Sequence, residues 1–429
     1  MAQLRFNWMG ILLFSLIILS SHRAFASGSG AYRDETPDAG AMGMGSAFVG
    51  EADTPAAVYY NPAGMNQISS PEVSVGDAII APRAQYTNTS GVTAHEEINA
   101  YNVPNFYAVI PVIPHKLTVG IDGGSYWGLG ETWENNSPLR YAVTQATLTN
   151  LDNSLALDYQ VTKQWSVAAS LDNDYSKANE SYNFPNFITP DGGLELKANN
   201  DSLGYRLATM FKINNQNQVG LMYRSRMNQD FSGKVYASNI GPDYQANGVG
   251  SAFVTTAKEK SVLPQSVIIG YSFKPTTQWT INTDVEWMDW SSAKYEALTF
   301  PNATPAQLAF LTAGGSSIPE DWHSAWSESI GTQYDLTDRF RVRLGYYHHG
   351  RVVPAATFNP LILDSNSNGY TTGFGFDLTQ RLTLDVAYSL GIYQTREITN
   401  HVLSNEFQTV NGKYSEYLNI GLVSLTYKF

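Results

Sequence analysis

The stretch Val423-Ser-Leu425-Thr-Tyr427-Lys-Phe429, at the carboxyl end of the printed sequence, alternates large apolar with polar side chains. In a β-strand this alternation puts the four apolar side chains on one face and the three polar ones on the other. The last strand of an outer-membrane barrel has two such faces, because one contacts lipid and the other a polar lumen. The stretch therefore predicts an all-β transmembrane barrel in the outer membrane of a Gram-negative bacterium.

Residues 1–26 have the pattern of a secretory signal peptide. Arg5 gives a basic start, an apolar run extends from Met9 to Leu19, and Ala24-Phe-Ala26 supplies the small residues of a cleavage site. An apolar run of this length is too short to span a bilayer as a helix. We expect the mature chain to begin near Ser27.

Composition excludes several other classes of protein. Hydrophobic residues make up 43% and the mean hydropathy is −0.23, which is too polar for a helical membrane protein, whereas 26 Tyr, 19 Phe and 9 Trp suit the aromatic girdles of a barrel. Without the signal the chain has 24 basic and 38 acidic residues, a formal net charge of −14, so we expect no nucleic-acid partner. Cysteine is absent, which excludes disulfides and thiolate metal sites.

Short and long gaps alternate between the stretches of period-2 sequence. Six short gaps read as tight turns, near residues 112–116, 160–164, 213–217, 274–278, 336–339 and 378–381. Seven long gaps read as loops, near residues 88–98, 131–149, 179–195, 237–251, 301–321, 351–368 and 394–416. Thirteen connections predict fourteen antiparallel strands, with the short turns in the periplasm and the long loops outside.

The same alternation places charged side chains inside the barrel. Leu382, Leu384, Val386, Tyr388 and Leu390 are predicted to face lipid, and so are the apolar residues of 219–223 and 340–346. The charges predicted on lumen faces are Arg206, Arg224, Arg226, Asp284, Glu286, Arg341, Arg343 and Asp385. They could form a salt-bridged lumen that fills space, or some could hold an anionic ligand head group.

Residues 27–70 do not follow the strand pattern. Residues 40–50 are small and apolar, with glycines at every few positions, and Asn61-Pro62-Ala63-Gly64 follows. So much glycine and alanine needs close backbone packing, which a segment ahead of the first strand can find inside the barrel. We therefore predict that residues 27–70 form a hatch in the lumen of a barrel made by residues 71–429. Phe48 stands where a dinucleotide-binding loop would need glycine.

The chain resembles the FadL-type outer-membrane transporters of long-chain fatty acids and other hydrophobic compounds. The resemblance covers essentially the whole mature chain and depends on the order of several motifs. These are Asn61-Pro62-Ala63, Tyr126-Trp-Gly128-Leu-Gly130-Glu-Thr-Trp133, Val219-Gly-Leu-Met-Tyr223-Arg224-Ser225, Leu263-Pro264-Gln-Ser266, Trp287-Met-Asp-Trp290-Ser291, and Arg343-Leu-Gly345-Tyr-Tyr347 with Pro354 and Phe358-Asn-Pro360.

The resemblance implies a fourteen-stranded barrel with an amino-terminal hatch, a hydrophobic pocket inside, an apolar groove among the outer loops, and a kink in the third strand that opens the wall sideways. The third predicted strand, residues 116–130, contains five glycines, and we expect its bend at Gly123-Gly124. The alternative is that these two glycines only make room for the hatch.

No enzymatic site is predicted: the sequence has no Gly-x-Ser-x-Gly, His-Glu-x-x-His or P-loop motif, and we expect no catalytic residue, cofactor or metal. Asp364-Ser-Asn366-Ser-Asn368-Gly369 matches the first half of a calcium loop, but Gly375 stands where a bidentate Glu is needed, so a polar outer turn is favoured. A general porin or adhesin, or an outer-membrane lipase whose triad assembles from distant segments, is the alternative function.

Passive uptake of hydrophobic compounds, most simply long-chain fatty acids, is the predicted function. Apolar residues of two outer loops are the candidates for capturing the ligand: Phe184, Phe187, Ile188, Leu308, Phe310 and Leu311. The expected partners are such small molecules, outer-membrane lipids and the barrel-assembly machinery, and we expect a monomer. A fatty acid and an aromatic hydrocarbon would suit the same pocket, so the sequence leaves the substrate open.

Overall fold

The computed structural model describes residues 31, 33, 37–186, 188–313, 317–402 and 409–429. The predicted signal peptide, the beginning of the predicted hatch and Phe187 lie outside the described residues. Fourteen antiparallel strands close into one barrel, as predicted. They are β1 (Glu72–Asn88), β2 (Tyr101–Ile113), β3 (Leu117–Gly124 and Gly128–Thr132), β4 (Gln145–Gln160), β5 (Trp165–Phe184), β6 (Gly192–Lys212), β7 (Asn217–Arg224 and Met227–Ser238), β8 (Phe253–Leu263 and Ser266–Phe273), β9 (Trp279–Met288 and Tyr295–Thr299), β10 (Ser317–Pro319 and Ala325–Thr337), β11 (Phe340–His349), β12 (Ser367–Asp377), β13 (Leu382–Tyr393 and Arg396–Ile398) and β14 (Gly412–Lys428).

The barrel closes because β14 pairs with β13 on one side and with β1 on the other. The β1–β14 ladder runs without a register shift from Glu72–Lys428 to Asn88–Gly412. A closed ladder satisfies the backbone hydrogen bonds that lipid cannot. The six short turns and seven long loops fall where the sequence predicts them, and one loop adds a short strand, Thr93–His95, that pairs with β1.

Side chains alternate between the outer wall and the lumen as predicted along most strands. On β14, Val423 and Leu425 are exposed on the outer wall, while Ser424 between them is buried inside. The prediction for Arg226 is wrong. The ladder of β7 is interrupted at Ser225 and Arg226, both Ser225 and Met227 are buried, and Arg226 is exposed, because the interruption shifts the alternation by one residue.

The helices within the described residues are short. They are α1 (Ala39–Met42), α2 (Ala57–Tyr60), α3 (Pro242–Gln245) and α4 (Pro305–Leu311), with 3₁₀ helices at Pro62–Gln67 and Trp290–Ser292. Among the described residues, no helix is long and apolar enough to cross a membrane.

Residues 37–68, called the amino-terminal segment below, are almost entirely buried and contact inward-facing residues of strands around the barrel. Asn61 begins the 3₁₀ helix: its Oδ1 accepts from Ala63 N at 3.1 Å, and its Nδ2 donates to Val49 O at 2.9 Å. Pro62 at the first helical position suits a helix start, since its missing N–H would lack an intrahelical acceptor there. The Asn-Pro-Ala motif therefore fixes one turn of this segment against another.

Inward-facing glycines of five strands contact the backbone of this segment. This glycine belt consists of Gly220, Gly270, Gly331, Gly345 and Gly373. A Cβ on any of them would overlap or press on backbone atoms of residues 43–50, so the two backbones touch directly. On the facing side, Gly45 has φ +68°, a conformation that glycine adopts without strain.

Polar side chains of the lumen bind the backbone of the same segment. The Asp284 carboxylate accepts from Phe48 N and Val49 N at 2.8 and 2.9 Å, and Gln218 donates to the carbonyls of Gly50 and Glu51, both at 2.8 Å. The Asp158 carboxylate accepts from Asn66 N at 2.8 Å. Buried backbone groups that lose such partners cost about 1–3 kcal/mol each, so these bonds hold the segment in the lumen.

We expect Gly345→Val to dislodge the amino-terminal segment while the barrel still assembles. The new side chain would overlap Gly45 N and Met44 C, and overpacking of this kind costs about 1–3 kcal/mol. The measurement is chymotryptic cleavage at Phe48, Tyr59 and Tyr60, which are buried in the native protein.

Gly421→Val is the matched control, since Gly421 is exposed on β14 and a Cβ there meets no atom within 4 Å. Its cleavage pattern should match the native protein. A folded Gly345→Val barrel whose segment resists chymotrypsin as well as the control would contradict the backbone fit.

Candidate functional site

The third strand is broken where its glycines cluster. Its regular ladder with β4 stops at Gly124–Asp152 and resumes at Gly128–Thr149, so three residues of β3 stand opposite two of β4. Such an extra residue is a β-bulge, which bends the strand. The predicted bend at Gly123-Gly124 thus lies directly before the break, which consists of Ser125, Tyr126 and Trp127.

The barrel wall has a gap beside this break. The β2–β3 ladder runs from Ile113–Leu117 to Phe106–Gly123, and among the described residues it goes no further. Residues 101–105 of β2 therefore pair only with β1. Above the gap, Glu97 N donates to Thr132 O at 2.8 Å. Backbone pairing between β2 and β3 is thus missing over about one strand segment, which we call the wall gap, and the ring of Tyr101 lies against Gly130 across it.

Aromatic side chains and the start of the chain border the wall gap. Tyr126 packs on Tyr59 of the amino-terminal segment with ring centroids 4.0 Å apart, and Tyr107 donates to Pro37 O at 2.6 Å. Arg33 forms an antiparallel bridge with Trp127. The amino-terminal part of the chain therefore contacts both sides of the gap.

The two glycines themselves face different ways. A Cβ at Gly123 would lie 3.3 Å from Asn153 Oδ1, whose residue is exposed, and one at Gly124 would lie 3.1 Å from the Tyr126 ring. None of the nearest atoms belongs to the amino-terminal segment.

An ion-pair cluster joins the segment to the base of the gap. Arg206 donates to Asp172 at 2.8 Å and to Asp122, the residue before Gly123, at 3.3 Å. The same guanidinium donates to the carbonyls of Val58 and Tyr59, both at 2.9 Å. All these partners are buried, so Arg206 links the backbone of α2 to the strand that breaks.

The other charges predicted in the lumen serve several local roles. Glu286 pairs with Arg33, Arg343 pairs with Asp385 at 2.6 Å, and Arg341 pairs with Asp377 near the periplasmic end. Asp284 binds the amino-terminal segment, as described above. Arg226 is outside the lumen and is not part of this set.

Arg224 differs from the other lumen arginines. Its guanidinium lies 4.8 Å from the Tyr59 ring centroid, and its Nη2 is buried without a hydrogen-bond partner among the described residues. A buried guanidinium nitrogen of this kind costs free energy unless an acceptor reaches it. Arg224 is therefore a candidate position for an anionic group, which would compete with the buried carboxylates of Asp152 and Asp172 that interact with its charge.

Two cavities border the lumen at different heights. A cavity of about 40 Å³ lies beside the amino-terminal segment, bordered by Tyr60, Ile268 and Glu286 among others. Pockets that bind small molecules have roughly 300–1,000 Å³, so this one holds only a few waters. At the periplasmic end a cavity of about 800 Å³ is bordered by Arg341, Asp377 and Lys428.

Seven buried aromatic residues towards the long-loop end of the barrel belong to one hydrophobic core with the amino-terminal segment. This aromatic cluster consists of Tyr86, Trp127, Trp133, Trp290, Trp322, Phe358 and Tyr414. Trp290 contacts both Trp127 and Trp322 edge-on, with centroids 5.9 and 5.1 Å apart. The cluster begins at the break in β3, because Trp127 belongs to both.

Sequence reasoning did not identify the aromatic cluster as a site. Four of its members lie in motifs quoted above, Trp127, Trp133, Trp290 and Phe358, but their spacing along the chain gives no sign that they meet. Their contacts depend on how the long loops fold over the barrel mouth.

A second apolar cluster lies among the outer loops. Phe184 packs edge-on against Phe310 at 5.0 Å, and Tyr244 and Phe253 pack against Phe310 at 5.1 and 6.0 Å. Of the predicted capture residues, the structure brings Phe184, Phe310 and Leu311 into this outer-loop cluster. Leu308 and Ile188 are exposed beside it, and the role of all of them stays a prediction.

In the loop that resembles half a calcium site, the candidate ligand oxygens already accept hydrogen bonds from the backbone. The Asp364 carboxylate accepts from Val352 N and Val353 N, both at 2.7 Å, and Asn366 Oδ1 accepts from Arg351 N at 2.7 Å. Burial raises the pKa of Asp364. Among the described residues no group of acidic or histidine side chains is arranged to hold a metal.

Comparison with known proteins gives consistent matches over the chain. A family model described as outer membrane protein transport protein (OMPP1/FadL/TodX) matches residues 19–429. The chain is 22% identical to a putative outer membrane protein of Neisseria meningitidis (95% of this chain, 97% of the relative) and 25% identical to the long-chain fatty acid transport protein of Escherichia coli (81% and 84%).

Solved structures show the same fold. A Pseudomonas aeruginosa FadL homologue superposes with a TM-score of 0.80 at 16% identity, covering 93% of this chain and all of the other. The Pseudomonas putida toluene transporter TodX gives a TM-score of 0.72 at 16% identity, covering 94% and 99%. The chain belongs to the OMPP1/FadL/TodX family of outer-membrane transport proteins, whose members are channels and not enzymes.

Proposed function

We propose that this protein takes up long-chain fatty acids passively across the outer membrane and releases them sideways through the wall gap. The observation that carries this proposal is the gap between β2 and β3, which lies at the end of an aromatic cluster and at the edge of the amino-terminal segment. A hydrophobic solute gains roughly 0.8 kcal/mol for each CH₂ that it transfers from water to an apolar site, so no energy source is needed for capture.

In this proposal the amino-terminal segment acts as the hatch. It is buried in the lumen, the cavity beside it holds only a few waters, and its hydrogen bonds to Arg206 and its ring contact with Tyr126 reach the base of the wall gap. A ligand that enters the aromatic cluster must displace side chains there, and beside the wall gap these include Trp127 and the packed pair Tyr126 and Tyr59. Movement of the segment then opens the lateral path.

Capture is proposed at the outer-loop cluster. Its aromatic rings lie at the long-loop end of the barrel, on the inner side of the hairpins formed by β5–β6 and β7–β8. Exposed Leu308 and Ile188 extend the apolar surface. A porin-like open channel is disfavoured, because the amino-terminal segment and the aromatic cluster occupy the lumen.

Arg224 favours a carboxylate ligand over a neutral hydrocarbon. Its unpartnered Nη2 lies beside Tyr59, where a fatty acid that passes towards the wall gap could place its head group. Relatives named as long-chain fatty acid transport proteins agree with this choice, whereas the neighbour TodX is named as a toluene transporter. The barrel-assembly machinery is proposed as its folding partner, and the monomer as its working form.

We expect Arg224→Gln to reduce uptake of labelled oleate roughly tenfold or more at limiting concentration, because a hydrogen bond to a charged group contributes about 1.5–3 kcal/mol. Uptake of toluene by the same variant should stay within about twofold. The measurement is uptake by cells or proteoliposomes, with native mass spectrometry of the bound ligand.

Arg341→Gln removes the same charge near the periplasmic end, where Arg341 already pairs with Asp377, and serves as the control. Equal losses of oleate and toluene uptake in the Arg224 variant would assign a structural role to Arg224. Toluene uptake by the native protein without oleate uptake would overturn the proposed substrate.

We expect replacement of both Gly123 and Gly124 with valine to lower uptake of hydrophobic compounds while assembly and surface binding persist. Valine favours regular pleated geometry, so the substitutions should extend the β3 ladder towards the wall gap. Uptake and heat-modifiable gel mobility are measured together.

Gly421→Val again controls for a glycine-to-valine change in a strand. If the two glycines instead make room for the segment, the double variant should assemble poorly or become sensitive to chymotrypsin. Unchanged uptake by a properly folded double variant would show that Gly123 and Gly124 do not create the lateral exit.

A further inference from the structure

Two neighbouring rows of the outer wall carry four lysines on four consecutive strands. One row aligns Lys177, Asn199, Ser232 and Lys258 across β5 to β8, and the next aligns Asn179, Lys197, Lys234 and Thr256. All four lysines are exposed and point away from the lumen. We call these two rows the lysine patch.

The patch concentrates positive charge on a chain that is acidic overall. Lys197 and Lys234 stand directly opposite each other, where Cβ atoms are about 4.5–5.5 Å apart and like charges destabilise the pair. Lys197 has one ion pair, with Glu195 at 2.8 Å, whereas Lys234 and Lys258 have none among the described residues. Neither row contains an acidic residue, so an anion between the lysines would relieve their repulsion.

The height of the patch indicates what such an anion belongs to. On the lipid-facing side of β5, Tyr175 stands between exposed Leu171 and Lys177, and Lys177 Nζ lies 5.6 Å from the Tyr175 ring centroid. On β7, exposed Tyr236 lies on the same face two residues beyond Lys234. Tyrosines mark the membrane–water interface of a barrel, so the lysines lie at the level of the lipid headgroups, which in the outer leaflet suits the phosphorylated sugars of a glycolipid.

We propose that the lysine patch binds the sugar phosphates of a glycolipid in the outer leaflet. The exposed side chains of Asn199 and Ser232, between Lys177 and Lys258, add neutral hydrogen-bonding groups in the same row. On the opposite face of the same strands, Leu196 and Val235 belong to the outer-loop cluster. The bound glycolipid would therefore stabilise the β5–β6 and β7–β8 hairpins, whose inner face carries the proposed capture surface.

The test compares two double variants in detergent-solubilised, full-length protein. Lys197→Gln with Lys234→Gln should retain about 30-fold less rough lipopolysaccharide than the native protein, the effect expected of two lysines at an anionic surface. Lys163→Gln with Lys212→Gln makes the same charge change at the periplasmic end and should retain the native amount. Native mass spectrometry measures retention, and heat-modifiable mobility checks folding.

Two further arms identify the ligand chemistry. Lipopolysaccharide stripped of phosphate should be retained poorly by the native protein, and soluble inorganic phosphate at equal concentration should not displace the intact glycolipid. Lys197→Arg with Lys234→Arg should restore retention. Equal retention by the Gln variant and its control, equal retention of the dephosphorylated lipid, or displacement by soluble phosphate would each overturn the proposal.

Discussion

The direct contact between two backbones inside the barrel determines the rest of this structure. Residues 43–50 lie so close to the glycine belt that no side chain fits between them. Because a segment packed this tightly hides its amides from water, the strands must supply partners, and Asp284, Gln218 and Asp158 do so. The polar side chains in the lumen are thus explained by their bonds to the amino-terminal segment before any ligand is considered.

The same kind of contact connects the amino-terminal segment to the wall gap. Arg206 binds Asp122 at the base of the wall gap and the carbonyls of α2, while Tyr126 from the break in β3 packs on Tyr59. A change in position of α2 therefore alters the surroundings of β3 directly through the Tyr59–Tyr126 contact and indirectly through Arg206 of β6. This adjacency is the physical basis for the proposed coupling between hatch movement and lateral release.

The fold could be predicted from sequence because turns and period-2 alternation are local signals, and they gave all fourteen strands. The prediction for Arg226 failed because an interruption of β7 at Ser225 changes the face of every following residue by one position.

The glycine belt could not be predicted, because it has no local signature in the sequence. The role of Gly331 and Gly345 becomes visible only when their strands pair and face Met44. The aromatic cluster was missed for a similar reason, because loops bring its members together. For the lumen charges, the sequence suggested either space-filling salt bridges or ligand binding. Asp284 has neither role, because its carboxylate binds backbone amides of the amino-terminal segment.

The central claim is that the amino-terminal segment must move beside β3 for transport, and a disulfide tether tests it most directly. Thr118 Oγ1 of β3 donates to Asn66 Oδ1 at 2.9 Å, so cysteines at both positions can join the segment to the strand. The chain has no other cysteine, which makes the reduced protein its own control. The measurement is uptake of labelled oleate by Asn66→Cys with Thr118→Cys before and after reduction. The account predicts that the oxidised protein loses uptake and regains it on reduction, and equal uptake in both states would contradict it.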